Sequence, residues 1–158
     1  MESKIEFYQK TITIWNELCE FHKKLHEFTC EEYIHLLSSE VEKVESSIKE
    51  KEKIIIKITE IDTKRTTLLD EINIKFNCSI KNFFELNNFF SDLEFEIQNK
   101  HLEKFNKLLK ELINNIQKQN KTNQLFINKA IISLDKIKNA GSSNKNYSLY
   151  NSSGALKK

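Results

Sequence analysis

The first 140 residues contain neither proline nor glycine, because the chain has no proline and its two glycines are Gly141 and Gly154. Average usage would give roughly 8 prolines and 11 glycines in a chain of this length. Turns with positive φ rely heavily on glycine, so β folds rich in hairpins are disfavoured. The phosphate-binding loops of common nucleotide-binding folds also need glycine, where the backbone closely approaches phosphate. The sequence therefore predicts a helical protein made of a few long elements.

Composition bounds the size and setting of this helical protein. The 158 residues suit one domain, while 30% charged residues and a mean hydropathy of −0.55 favour an elongated coiled coil over a compact globule. No apolar run approaches 18 residues and no signal peptide is indicated, so we expect no membrane insertion and a cytoplasmic location. Three cysteines without paired spacing agree with a reducing compartment.

Charge is spread unevenly along the chain. Residues 1–78 hold 16 acids and 12 bases (−4), whereas residues 79–158 hold 7 acids and 13 bases (+6). An acidic arm packed beside a basic arm is one interpretation, and a nucleic-acid surface is another. All the bases except Arg65 are lysines, and phosphate and guanine recognition favours arginine. We therefore favour the packed arms and expect no nucleic-acid partner.

Apolar residues recur every three or four positions, which predicts an all-α fold. We expect an elongated antiparallel helical bundle or coiled coil of about three long helices, followed by a flexible, disordered tail at 139–158 that is too polar to offset its ordering entropy. Ser47 and Glu50 have the spacing of a capping box, which places a turn near residue 45, although one continuous helix there is the alternative. Asn77 favours the next turn. The bundle, residues 1–138, is predicted to contain helices at about 3–44, 47–76, 80–90 and 92–138.

Chemistry-bearing side chains do not form a recognisable active site or metal site. Cys19, His22, His26 and Cys30 share one side of a helix, but the outer two lie ~16 Å apart along its axis, too far to share an ion. Glu32-Tyr33-Ile34-His35 matches half of a di-iron motif, without a second copy. No glycine-containing nucleophile elbow occurs. We expect no enzyme activity, no metal and no cofactor.

Two apolar stretches could bind a partner or be buried in the core. The aromatic stretch 83–90 is interpreted as core. The stretch 125–137 has an apolar face too broad for one packing seam, so the helix contacts either a partner helix as well as its own bundle, or only a larger bundle. Just before it, Gln119 and Asn123 fall on the same seam, where polar residues fix register or mark where the helix leaves its neighbours. The apolar members are Leu125, Phe126, Ile127, Ile131, Ile132, Leu134 and Ile137.

Four segments together resemble the FlgN-type flagellar export chaperones, and they follow in the family's order over nearly the whole chain. Leu36-Leu37-Ser-Ser-Glu40 resembles the Leu-Leu-x-x-Glu of the family's first helix. Lys53-Ile54 with Arg65-Thr-Thr-Leu68-Leu69 resembles a later Lys-x-x-Leu-Leu to Arg-x-x-Leu-Leu stretch. Asn120-Lys-Thr-Asn123-Gln-Leu-Phe126 resembles the Asn-x-x-Asn-x-x-Leu that opens the cargo-binding segment, and Tyr150-Asn-Ser-Ser-Gly154 resembles the C-terminal Tyr-x-x-x-Gly.

The resemblance implies a cytoplasmic, non-enzymatic chaperone. It would hold the helical terminus of hook–filament junction (hook-associated) proteins, prevent premature assembly and deliver them to the flagellar export gate and ATPase complex. Cargo binding would then fall to Asn120 and Asn123 together with the apolar residues of 125–137. Export-gate binding would fall to Tyr150, Tyr147 and Gly154, with Tyr147 competing with Tyr150 for the tyrosine role. The alternative is a structural coiled coil that dimerises through the same stripes without an export role; the oligomeric state, monomer or homodimer, stays open.

Overall fold

The computed structural model describes residues 3–140, and this part of the chain is built of helices without a β-strand. The prediction of an all-α fold is confirmed. No helix among the described residues is long and apolar enough to cross a membrane. The helices are α1 (Lys4–Leu37), α2 (Val41–Lys75), α3 (Phe83–Phe90), α4 (Glu94–Asn99) and α5 (His101–Ala140).

The turn between α1 and α2 occupies residues 38–40, and the predicted turn near residue 45 is wrong. Ser39 takes the left-handed conformation, with φ of 57°. The backbone N–H of Glu40 donates to the carbonyl oxygen of His35 at 3.0 Å, which closes the helix end. Ser47 lies inside α2 and is buried. A Ser-x-x-Glu pattern also occurs inside helices, so it does not by itself mark a helix start. The observed turn has a serine at the left-handed position, where glycine is usual.

The segment between α2 and α3 turns at Asn77, as predicted, with a left-handed φ of 49°. Asn73 ties the segment back to α2, because its side chain accepts from the backbone N–H of Ile80 at 2.8 Å and donates to the Ile80 carbonyl at 3.1 Å. Asn82 caps α3, since its side-chain oxygen accepts from the Glu85 N–H at 2.9 Å. Helix α3 therefore begins at Phe83, slightly later than the predicted residue 80.

The predicted final helix from 92 to 138 is interrupted at Lys100, which adopts the left-handed conformation between α4 and α5. The buried carboxylate of Glu96 stabilises this break. It accepts from the N–H groups of Leu102 at 3.2 Å and Glu103 at 3.3 Å, and from the Tyr8 hydroxyl. Free backbone donors at the start of α5 are thereby paired with a carboxylate, which the partial positive charge of a helix N-terminus also favours.

The described residues form two compact units. The first, unit 1, comprises the residues through Leu25 together with Lys53–Asn114. Its core is apolar and rich in aromatic rings, which pack edge to face where Tyr8 meets Phe90 at 5.3 Å and Phe76 meets Phe89 at 5.2 Å between centroids. The buried members of this core are Phe7, Tyr8, Ile14, Trp15, Leu18, Ile61, Leu68, Ile72, Ile80, Leu86, Phe90 and Leu102.

The second, unit 2, comprises His26–Glu52 together with the described residues from Asn115 onward. Within it α5 runs parallel to α1, since Thr29 pairs with Asn123 and Tyr33 with Phe126. Its apolar core is small: the buried Leu36, Val44 and Ile127 are packed against by the half-buried residues Ile48, Phe126 and Ile131. This unit contains the α5 stretch 125–137, which the resemblance assigned to cargo binding.

Candidate partner-binding surface on the last helix

One side of α5 in unit 2 is attached to α1 through hydrogen bonds of Asn123. The Asn123 side chain is 1% exposed and donates to the Thr29 carbonyl and to Oε1 of Glu32, both at 3.0 Å. Its oxygen accepts from Nε2 of Gln119 at 2.9 Å. Of the two roles that the sequence left open for this polar position, the structure supports fixed register. Asn123 is therefore inside the unit, on the seam where the periodicity placed it, although the resemblance assigned it to cargo binding.

Lys51 extends this network from α2 to both neighbouring helices. Its Nζ donates to Oε2 of Glu32 at 3.2 Å and to Oδ1 of Asn120 at 3.1 Å. Asn120 is itself exposed, so it remains reachable by a partner. We call the side chains of Glu32, Lys51 and Asn123, together with the backbone carbonyl of Thr29, the polar layer. It joins α1, α2 and α5 within unit 2 and provides hydrogen-bond partners for the carboxylate of the buried Glu32.

The apolar residues that follow Asn123 divide between the interior and the surface. Ile127 is buried, Ile131 is half-buried, and the half-buried Phe126 ring meets the Tyr33 ring edge to face at 6.2 Å between centroids. Ile127 therefore leaves the predicted cargo-binding surface. The remaining four, which we call the exposed apolar set, are Leu125 (57% exposed), Ile132 (54%), Leu134 (45%) and Ile137 (69%).

Leu134 and Ile137 are exposed because α5 extends beyond its neighbours. Both continue the helix side that carries Asn123 and Ile127, at steps of three to seven residues. Ile127 and Ile131 already pack at Leu36 and Val44, which flank the turn at 38–40. Because α1 ends and α2 begins at this turn, neither helix extends alongside the later residues of α5. An inward-facing apolar stripe thus ends in solvent.

The tail residues assigned to export-gate binding, Tyr147, Tyr150 and Gly154, lie outside the described residues. So does most of the segment 139–158 that was expected to be flexible. Their roles stay predictions.

The cysteines and histidines of α1 make local hydrogen bonds. The buried Cys19 thiol donates to the Phe105 carbonyl at 3.3 Å, and burial raises the pKa of Cys19 to about 11. Nδ1 of His22 contacts the Leu18 carbonyl at 2.7 Å, and Cys30 Sγ lies 3.6 Å from Nε2 of His26. Within residues 3–140, no group of three His, Cys, Asp or Glu side chains is placed to hold a metal ion.

Unit 1 has a surface feature that the sequence did not predict. The aromatic stretch 83–90 was interpreted as core, and Leu86 and Phe90 are indeed buried, but Phe84 is 71% exposed. Phe84 lines a groove between α3 and α5 that also contains Asn87 and Asn106. Helical periodicity could have separated Phe84 from Phe90, because the two do not share a side of α3.

The described residues therefore define an all-helical protein whose last helix ends in exposed apolar side chains. The chain belongs to the FlgN family, whose model, described as FlgN protein, matches residues 1–158. This is a family of chaperones in flagellum biogenesis and type III export. No curated protein and no solved structure gives a significant match.

Proposed function

We propose that this protein is a cytoplasmic export chaperone that holds the helical terminus of a hook–filament junction protein on the C-terminal end of α5. Binding prevents premature assembly of the junction protein and keeps it available for the export gate and its ATPase complex. Membership of the FlgN family supports the chaperone role. The exposed apolar set supports the placement of the cargo site, and it is the observation that carries this proposal.

The exposed apolar set offers apolar surface against which a partner's amphipathic helix could bury its own apolar side. Fully burying a leucine or isoleucine side chain contributes about 1.5–3 kcal/mol. Leu134 and Ile137 follow one side of α5 past the end of the unit 2 core, so a cargo helix there would continue the packing that α1 and α2 begin. Ile131 lies one turn before Leu134, whereas Phe126 and the exposed Asn120 lie further toward the start of α5. Asn123 and Ile127 support the site from within by holding α5 in register.

The tail after α5 is proposed to contact the export gate through Tyr150, with Tyr147 as the competing tyrosine and Gly154 as part of the same motif. This assignment rests on the resemblance of Tyr150-Asn-Ser-Ser-Gly154 to the family's Tyr-x-x-x-Gly. A cargo site on α5 and a gate contact in the tail would let one chain engage both partners together.

The test is binding of the full chain to the C-terminal segment of a junction protein, compared with a double variant Leu134→Asp/Ile137→Asp. Loss of two apolar contacts and burial of two charges should weaken binding at least about 100-fold. Exposed positions are chosen because Phe126 packs on Tyr33, and its replacement would disturb unit 2 itself. Titration calorimetry gives the affinity, and circular dichroism verifies helicity.

The matched control is Ile55→Asp/Ile56→Asp, two isoleucines of α2 that are 48% and 61% exposed. The control should bind like the unmodified chain. Unchanged binding by the α5 variant, with helicity intact, would refute the site. An obligate dimer by light scattering that ignores the junction protein would instead favour the structural coiled coil.

A further inference from the structure

The outward side of α5 in unit 2 carries lysines interspersed with two apolar side chains. Successive members lie three or four residues apart, so they share one side of the helix. All six are exposed, and together they span about 27 Å of helix at 1.5 Å per residue. The members of this lysine row are Lys118, Lys121, Leu125, Lys129, Ile132 and Lys136.

The positive charge of the lysine row is not compensated within unit 2. Among residues 3–140, none of its four lysines forms an ion pair with a carboxylate. Asp135, at the edge of the row, is the sole acid between residues 112 and 140. Lys118 and Lys121 lie one turn apart, a spacing at which like charges destabilise an isolated helix. These lysines therefore do not serve the packing of α5.

We propose that the lysine row docks an α-helix of a partner protein whose contacting side is acidic and carries apolar residues opposite Leu125 and Ile132. This inference rests on the proposed function in taking the partner to be helical and in using Leu125 and Ile132 of the exposed apolar set. These two residues lie on the side of α5 opposite Leu134 and Ile137. Steps of three and four residues are the spacing at which two helices pack side by side. Carboxylates at the same spacing on the partner would meet the ammonium groups, and the methylene stems of the lysines would cover apolar surface.

The mixture of residues in the row favours a helix over the other polyanions. On a nucleic acid, Leu125 and Ile132 would be pressed against phosphates, and the row contains no arginine for bidentate phosphate contacts. A helix lying on an anionic membrane keeps apolar residues along its centre and lysines on its polar face. In the lysine row, apolar and charged side chains lie along the same line of the helix. A membrane that contacts Leu125 and Ile132 would therefore also remove water from the lysines. A second helix can match each position separately.

The experiment uses the full chain and three synthetic helical peptides that share one apolar stripe. Their flanking positions are all glutamate, all glutamine or all lysine, and binding is followed by fluorescence anisotropy. We expect the glutamate peptide to bind about tenfold more tightly than the glutamine peptide at low salt, from a few exposed ion pairs. The lysine peptide should not bind. The preference should fall in 1 M salt, where the screening length is about 3 Å.

A matched pair of variants locates the effect. Lys121→Gln/Lys129→Gln/Lys136→Gln should abolish the glutamate preference, whereas Lys23→Gln/Lys49→Gln/Lys64→Gln removes the same charge from exposed positions elsewhere and should keep most of it. Equal affinity for the glutamate and glutamine peptides would overturn the inference. So would tighter, row-dependent binding to duplex DNA or to vesicles of anionic phospholipid. Because the peptides contain no junction-protein sequence, this result is independent of whether junction-protein binding is observed.

Discussion

The two units of the chain are stabilised in different ways. Unit 1 has a core of twelve buried apolar and aromatic residues. The half-buried rings of Phe76 and Phe89 pack against this core, in successive edge-to-face contacts that reach the buried Phe90. In the described part of unit 2, a small apolar cluster has Leu36, Val44 and Ile127 as its buried members, and the polar layer lies in the same unit. Apolar packing contributes most to the free energy of folding, whereas buried polar groups determine the register in which helices pack against each other. Unit 1 is therefore built for stability, and unit 2 for a defined register of α5.

The largest expected effect is in the unit 1 core. Phe90 is fully buried against Tyr8 and Phe89, so Phe90→Ala should lower the free energy of unfolding by about 3–5 kcal/mol. Phe84→Ala, in the same helix but 71% exposed, should change it by less than about 0.5 kcal/mol. Urea denaturation measures both. Similar losses in the two variants would show that α3 does not close this core as described.

A smaller effect is expected from the polar layer. Asn123→Ala removes a donor from Glu32 and from the Thr29 carbonyl, and a buried group left unpaired costs about 1–3 kcal/mol. Hydrogen exchange should speed up in the unit 2 part of α5 more than in unit 1, because the lost contacts all lie in unit 2. Asn115→Ala, at an exposed position of the same helix, is the control. Uniform protection across α5 in the Asn123 variant would argue that the polar layer does not hold the helix.

The smallest expected effect is on the pH dependence of stability, to which the thiols of the two units should contribute differently. Burial raises the pKa of Cys19 in unit 1 to about 11 and also raises the pKa of the half-buried Cys30 in unit 2. Above about pH 9 the unfolded thiol loses its proton while the folded Cys19 keeps it, so stability is full below that pH and declines above it. One such group contributes a slope of at most about 1.4 kcal/mol per pH unit.

Urea denaturation between pH 8 and 10 measures this slope. Cys19→Ala should reduce the decline clearly, and Cys30→Ala should reduce it less. The residual slope includes Tyr8, whose pKa is raised by burial and by its hydrogen bond to Glu96. An unchanged slope in the Cys19 variant would contradict the burial of that thiol.

Much of the fold follows from the sequence, but the ends of the helices do not. Long stretches without proline or glycine and the regular apolar steps predicted the helices, and Asn77 marked a turn correctly. Ser39 and Lys100 take left-handed conformations without glycine, so composition gave no sign of the turns there. Lys100 is held by Glu96, whose carboxylate reaches Tyr8 as well as the start of α5. Contacts between residues 88 positions apart are invisible to a local pattern.

The candidate site was found only in part, for a similar reason. The sequence by itself determined that 125–137 is a helix with apolar residues on more than one side, and that polar positions precede it. Only the tertiary structure decided which side is covered. Because the turn at 38–40 ends α1 and starts α2 beside Ile127 and Ile131, Asn123 and Ile127 are buried, while Leu134 and Ile137 extend past the neighbouring helices into water. A periodic pattern fixes the sides of a helix, whereas where its neighbours stop depends on how the chain packs.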